Sequence, residues 1–277
     1  MMKPDCTLEK LTAFIQSKGS ALVALSGGVD STLLSYLTNR ALGERSQSVT
    51  VVSEFFISHE KAVIDRFVEQ YGINHIYMPI HVLEDKRIVT NPSRRCYYCK
   101  KAIFEKLTEK AERESYTAVF DGTNMDDLNE NRPGIRALHE LGVVSPFMEA
   151  GVGKEEIVRL ARTLGLEQFI RPSNTCLATR IPTMVRITEE KLAMVENAEA
   201  YLHTLGFRVV RVRYHEGDTA RIEVAPKELY RLLDTSMHNK ILQYFKDVGF
   251  MHVTIDIEGY KKGVLGVGPP DGSLNET

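Results

Sequence analysis

Ala21-Leu22-Val23-Ala24-Leu25-Ser26-Gly27-Gly28-Val29-Asp30-Ser31 is the stretch on which the fold turns. Five apolar residues predict a buried strand, and Ser31–Leu42 reads as a helix, so the glycines join a strand directly to a helix. At such a junction the backbone N–H groups and the helix dipole can hold a phosphate. Gly27 and Gly28 let the backbone approach an anion closely, and Ser26 and Ser31 can donate hydroxyl bonds. No Gly-Lys-Ser/Thr follows, so this is not a Walker A loop. The plain alternative is a glycine turn with Asp30 as the helix cap.

Outward from that junction, strand and helix patterns alternate. Val49–Ser53, Asn74–Ile80 and Thr117–Phe120 predict strands, and Val143–Phe147 a short fifth one. His59–Tyr71, Cys99–Glu114 and Lys154–Leu164 predict helices, the last closed by Gly165. This alternation implies an α/β fold with a parallel sheet covered on both faces, and a ligand at the carboxyl ends of the strands. After Pro182 the pattern changes. A helix over Thr188–Leu205 leads to two strands, Val209–His215 and Ala220–Val224, joined at Glu216-Gly217-Asp218 as a hairpin. Helices over Pro226–Leu233 and Asn239–Val248 and a strand over His252–Ile257 complete a smaller C-terminal α+β domain. The expected division is 1–183, 184–268 and an irregular tail, 269–277.

Composition narrows the class. The 277 residues carry 35 Lys plus Arg against 37 Asp plus Glu, so no basic field points to nucleic acid or a membrane. There is no long apolar run to span a bilayer, and Met1–Glu9 lacks a signal-peptide core, so a cytoplasmic location is expected. Four cysteines are too few for a disulfide scaffold and suit metal or redox chemistry.

Cys96 and Cys99 are three apart and can share one face of a helical turn. Cys176 lies 77 residues further on, in Asn174-Thr175-Cys176-Leu177-Ala178-Thr179-Arg180-Ile181-Pro182. Three thiolates suit an iron–sulfur cluster with one open iron, or a zinc site with one open position; a pair of core thiols is the bland reading of Cys96 and Cys99. Cys6 is a further thiol, near the terminus. Arg94, Arg95, Lys100 and Lys101 flank Cys96-Tyr97-Tyr98-Cys99 and favour an anionic cluster or substrate, or else form a solvated helix face over packed tyrosines. Asp121, Asp126 and Asp127 could hold Mg²⁺ or cap a polar loop. Arg211 and Arg213 alternate with Val210 and Val212, which puts both guanidiniums on one sheet face. They suit a substrate phosphate or paired surface charges.

Ser-Gly-Gly-Val-Asp-Ser after a first strand resembles the PP-loop of the ATP pyrophosphatases, the adenine nucleotide alpha hydrolase-like fold. The resemblance implies cleavage of ATP between its α and β phosphates, with AMP attached to a substrate oxygen and pyrophosphate leaving into Ser26–Ser31. It places Ser53 at the adenine edge, Gly122 and Asn124 nearby, and Mg²⁺ with Asp126. Together with Asp121-Gly122-Thr123-Asn124, Asn131-Arg132-Pro133-Gly134 and the Cys176–Pro182 segment, the chain is similar over nearly its whole length to the ATP-dependent sacrificial sulfur transferase family, LarE. Membership implies adenylation of a carboxylate on a pyridinium mononucleotide and its thiolation, a step in nickel-pincer nucleotide cofactor biosynthesis. In some members the cysteine matching Cys176 stands alone and surrenders its own sulfur. This chain adds Cys96 and Cys99 and is similar to members whose three cysteines bind a [4Fe-4S] cluster that passes on sulfide from a separate donor.

Asp30, Cys176 and Arg180 are then the catalytic candidates. Ser26, Gly27, Gly28, Asp30, Ser31, Ser53, Gly122, Asn124, Arg132, Arg211 and Arg213 are the candidates for holding ATP or substrate. The resemblance also implies a homo-hexamer. Two other readings compete. A tRNA thiolation enzyme with the same loop is disfavoured by the near-neutral charge and the absence of an appended RNA-binding module. A non-catalytic ATP- or metal-binding regulator is disfavoured by three thiolates beside an intact loop.

Overall fold

The computed structural model describes residues 6–130, 133–171 and 176–261. These fall into two compact units. One comprises the described residues up to Val82 together with 94–171, and the other comprises 83–93 together with 176–261.

In the first unit four parallel strands, β1 (Ala21–Ala24), β2 (Ser46–Val52), β3 (His75–Pro79) and β4 (Ala118–Phe120), lie in the order β3-β2-β1-β4. From β1 the chain steps one way to β2 and β3, while β4 adds on the other side. The order therefore reverses between β1 and β4, and a crevice opens beyond their carboxyl ends. The anion loop follows β1 and Asp121–Asn124 follow β4, so both motifs meet there.

Alternation along β1 explains the covering on both faces. Val23 and Leu25 enter a core with Leu11 and Ile15 of α1 (Cys6–Ser17), Leu33 and Leu37 of α2 (Val29–Leu42) and Ile64 of α3 (Ser58–Tyr71). Leu22 points the other way, into a core with Val49, Val119, Phe104 and Leu107. Cutting a fully buried leucine such as Leu107 to Ala costs about 2–5 kcal/mol in such a core. Phe104 and Leu107 belong to α5 (Arg95–Arg113); the single turn α4 (Lys86–Val89) before it belongs to the second unit. Helices α6 (Pro133–Glu140), α7 (Pro146–Glu149) and α8 (Lys154–Thr163) complete the first unit. The fifth strand expected over Val143–Phe147 is one parallel bridge, Phe120 to Val144, before Pro146 opens the turn α7. Proline lacks the ladder N–H but is preset for a first helical position.

The second unit holds α9 (Glu189–Thr204), whose cap Thr188 accepts from Lys191 N, and a sheet ordered β5-β6-β7. β5 (Val210–His215) and β6 (Thr219–Val224) form the expected hairpin. The loop between the paired His215 and Thr219 has three residues, and Gly217 and Asp218 in it both have positive φ, 76° and 49°. After α10 (Leu229–Leu232) and α11 (Thr235–Asp247), β7 (His252–Ile255) joins β6 in parallel. Among the described residues no helix is long and apolar enough to cross a membrane.

One half-buried histidine makes this scaffold sensitive to acid. The Thr50 hydroxyl donates to Leu25 O, so His75 Nε2, 2.9 Å from it, must carry the hydrogen. Burial lowers the His75 pKa to about 4, against a pull from Asp65 and with help from Lys61. The unfolded chain takes up this proton near pH 6.5 and the folded chain only near 4. Stability is therefore complete above about pH 6.5 and falls as pH drops toward 4, by roughly 2–3 kcal/mol. Urea unfolding of the wild type should show that slope, and His75→Gln should flatten it. An equal slope in both would remove His75 as its source.

Candidate active site

The loop after β1 is folded back on the first turn of α2. Ser31 Oγ donates to Gly28 O at 3.1 Å, accepts from Ser26 N at 3.1 Å and lies 3.0 Å from Ser26 Oγ. Gly27 has φ +82°, and a Cβ there would meet Ile64 at 3.2 Å and Glu60 Oε2 at 3.4 Å, so only glycine fits without strain. The first N–H groups of α2 have no acceptor within the helix and face the crevice end of the sheet. Gly122 lies against them, since a Cβ there would come within 3.0 Å of Ser31 N. Ser53, at the carboxyl end of β2, accepts from Phe55 N.

Acidic residues and one lysine line the same end. Asp121 is buried and uses both oxygens: it accepts from Ser145 Oγ at 2.6 Å, Thr123 Oγ1 at 2.7 Å, Thr123 N at 3.2 Å and Lys100 Nζ at 3.3 Å. It shapes the β4 loop. Asp30 is held bidentately by Lys154 Nζ at 2.6 and 2.9 Å, with Asn124 Nδ2 at 3.5 Å. Asp126 accepts from Lys154 N at 2.5 Å and so caps α8, while Asp127 accepts from Asn124 N. Asp30, Asn124 and Asp126 thus converge as expected. Lys154 joins them without having been foreseen, because its only sequence signal is a place at a helix start after Gly153.

Cys96 and Cys99 occupy the first turns of α5, Cys96 exposed and Cys99 half-buried. The helix begins four residues earlier than its composition predicts, and this puts both thiols on it. Arg95 Nη2 donates to Cys96 Sγ at 3.6 Å. Next to Cys99, Lys100 reaches Asp121, which ties the cysteine helix to the β4 loop. Gly134 lies so close to the Lys100 stem that a Cβ would stand 2.9 Å from it. Tyr97 OH, Lys101 and Arg136 all donate to Glu140, and these bonds hold its carboxyl down at about pKa 2. Among the described residues no group of three or more His, Cys, Asp or Glu gathers around one point. Arg132, Asn174 and Thr175 lie outside the described residues, and Cys6 is the exposed first residue of α1.

In the second unit Cys176 is exposed and caps the turn Leu177–Arg180. Its carbonyl accepts from Thr179 N, Thr179 Oγ1 and Arg180 Nη1. Arg180 is wholly buried, paired through two nitrogens with Glu199 at 2.9 and 3.0 Å. Glu199 also accepts from Val212 N on the edge strand β5. Arg213 pairs with Glu223 at 3.0 Å and donates to Thr179 O at 2.9 Å. Arg211 donates to Val210 O and lies 5.3 Å from the Tyr260 ring. Burial lowers the Arg211 pKa, and the cations Arg180 and Arg213 lower it further. An anion placed beside Arg211 would relieve that strain. Arg211 and Arg213 are both buried, so neither forms an exposed charged face.

The family model of the thiamine biosynthesis protein ThiI matches residues 16–203. An uncharacterized protein of Synechocystis is 37% identical over 261 residues, 94% of this chain and 97% of that one. The pyridinium-3,5-bisthiocarboxylic acid mononucleotide synthase of Lactiplantibacillus plantarum is 32% identical over 254 residues, 91% of each chain. One component of the glutamine-hydrolyzing GMP synthase of Thermococcus kodakarensis is 28% identical over 198 residues, 66% of this chain and 63% of that one. A parallel sheet with this loop at its switch point, matched over most of its length in these ways, places the chain in the ThiI-type PP-loop family and, within it, among the LarE sulfurtransferases.

Proposed function

We propose that this enzyme activates a carboxylate of a pyridinium mononucleotide with ATP and replaces the activated oxygen with sulfur. A carboxylate oxygen attacks the α phosphorus, the bond to the bridging oxygen breaks, and pyrophosphate leaves into the loop Ser26–Ser31. Sulfide then adds to the adenylated carbon, and AMP departs with the former carboxylate oxygen, leaving a thiocarboxylate. The observation that carries this reading is the loop folded against Gly122, with Asp30, Asn124, Asp126 and Lys154 gathered at its mouth. The substrate follows from the name of the Lactiplantibacillus relative.

Each group has a role set by its chemistry. The glycine backbone and the Ser26 hydroxyl bind departing phosphate oxygens, while Ser31, whose hydroxyl donates to Gly28 O, keeps the loop in shape. Lys154 supplies a cation held on Asp30, and Asp30 with Asp126 would hold Mg²⁺, which offsets phosphate charge when bound. Arg180, buried on Glu199, acts on the Cys176 carbonyl and so positions the thiol without touching substrate. Arg211 and Arg213 are the candidate partners of the substrate phosphate.

Cys96 and Cys99 offer two soft donors one helical turn apart, a pair that fits two corners of an iron–sulfur cube, with Cys176 as third ligand. A bound [4Fe-4S] cluster would supply an open iron able to carry sulfide. Anaerobically purified enzyme given ATP, sulfide and the pyridinium nucleotide should yield AMP, pyrophosphate and thiocarboxylate in equal amounts. Release of ADP and phosphate would overturn the proposal.

Arg211→Ala separates the substrate from ATP. Glu199 and Glu223 keep Arg180, Arg213 and Arg221 as partners in this variant. Losing one charge-assisted bond costs about 1.5–3 kcal/mol, so KM for the nucleotide should rise roughly ten- to hundredfold with KM for ATP little changed. Steady-state kinetics would return Arg211 to a structural role if both constants stayed put.

A further inference from the structure

Beneath the anion loop lies an ion pair, a buried glutamate with a half-buried arginine, that the reaction scheme leaves unused. Glu60, near the start of α3, is 6% exposed and meets Arg171 Nη2 at 2.5 Å. The same Nη2 donates to Gly27 O at 3.3 Å, so one nitrogen serves both the carboxylate and the loop. Arg171 Nε is buried, with no hydrogen-bond partner among the described residues. A guanidinium oriented for its own satisfaction would not leave that donor empty. Its placement is set by the two acceptors at Nη2.

We propose that Arg171 is a positioning residue that aims the Gly28 N–H at the departing pyrophosphate. In a planar trans peptide the carbonyl and the following N–H point to opposite sides. Holding Gly27 O from the side of Glu60 therefore turns the Gly28 N–H to the other side, toward the crevice. The next peptide is fixed as well, because Gly28 O accepts from Thr32 N and Ser31 Oγ. Gly27, at φ +82°, supplies the backbone shape that lets both planes be set at once. Glu60 neutralises the guanidinium and keeps it on the carbonyl when a phosphate arrives. The device spans the fold, since Arg171 is 144 residues from Gly27 and 111 from Glu60.

The inference rests on the reading of Ser26–Ser31 as a pyrophosphate site, and its test keeps the two apart. Inorganic pyrophosphate and ATP are titrated calorimetrically into wild type, Arg171→Lys, Arg171→Met and the double variant Arg171→Met/Glu60→Gln. The double variant leaves no buried carboxylate unpaired, which guards against a single variant that fails to fold. Pyrophosphate affinity should fall about tenfold or more in the double variant and recover partly with lysine. The loss should persist at high salt, where a long-range charge effect is screened. Exchange of the Gly28 amide hydrogen should quicken. A merely structural role would lower the melting temperature and leave affinity unchanged. Wild-type affinity in the folded double variant overturns the positioning role, whereas a wild type that binds neither pyrophosphate nor ATP overturns the loop reading itself.

Discussion

Asp30→Ala should slow AMP formation by about a hundredfold or more while the protein stays folded. Asp30 sits in the first turn of α2, where Lys154 and Asn124 converge on its carboxylate. Its side chain is 24% exposed and that of Lys154 is 40% exposed, so the pair contributes only about 0–1 kcal/mol to stability. In the proposed reaction its worth lies in holding the Lys154 cation, and Mg²⁺ when bound, beside the triphosphate, and removing one such preorganised group costs roughly 2.7–4 kcal/mol of barrier. Lys154→Met should depress the same step, because it removes the cation that Asp30 holds. Single-turnover AMP release and a thermal melt on each variant decide the matter. A rate within threefold of wild type, from either variant, would dismiss the carboxylate or the lysine from the chemistry.

Cys176→Ser should abolish sulfur transfer and leave adenylation running. The thiol is exposed and caps a turn whose hydrogen bonds run through the Cys176 carbonyl, which serine keeps. The fold therefore survives the change, and the lost activity reports on sulfur alone. Anaerobically reconstituted wild type should hold about four irons, the content of one cube. Cys96→Ser and Cys99→Ser should each lose that iron and the multiple turnovers that added sulfide supports. Mass spectrometry then separates two chemistries. An unchanged Cys176 after many turnovers fits a sulfide carrier. A Cys176 lighter by one hydrogen sulfide after a single turnover, in iron-free protein, would make the residue itself the donor.

The parts of this fold legible in the sequence are those whose causes are local. The apolar run before two glycines, the hairpin turn at Gly217-Asp218 and the helix closing at Gly72 each follow from a few adjacent residues. The nearness of Asp30, Gly122 and Asn124 was legible because their motifs follow strands that end side by side. Lys154 and Arg171 were not, since each takes its meaning from a partner more than a hundred residues away. Helix α1 was missed because Cys6–Ser17 offers only two deeply buried positions, Leu11 and Ile15. Arg180 read as an active-site cation beside Cys176, and only the fold reveals that Glu199 takes it inside.

The discontinuity of the second unit governs how the chain can come together on the ribosome. Asn91 donates through its side chain to Ile181 O and Pro182 O, ninety residues further along. At about 5–20 residues per second, those acceptors emerge roughly 5–18 s after Asn91 does. The first unit can have most of its sheet in place by then, with Leu83–Ser93 carried as a projecting segment that has nothing yet to pair with. The Cys176 turn is built only when the chain downstream, with Glu199, has appeared, long after the loop Ser26–Ser31. No single cut yields both units whole: a fragment ending at Arg171 keeps Leu83–Ser93 and loses its acceptors, and the complementary fragment lacks Asn91.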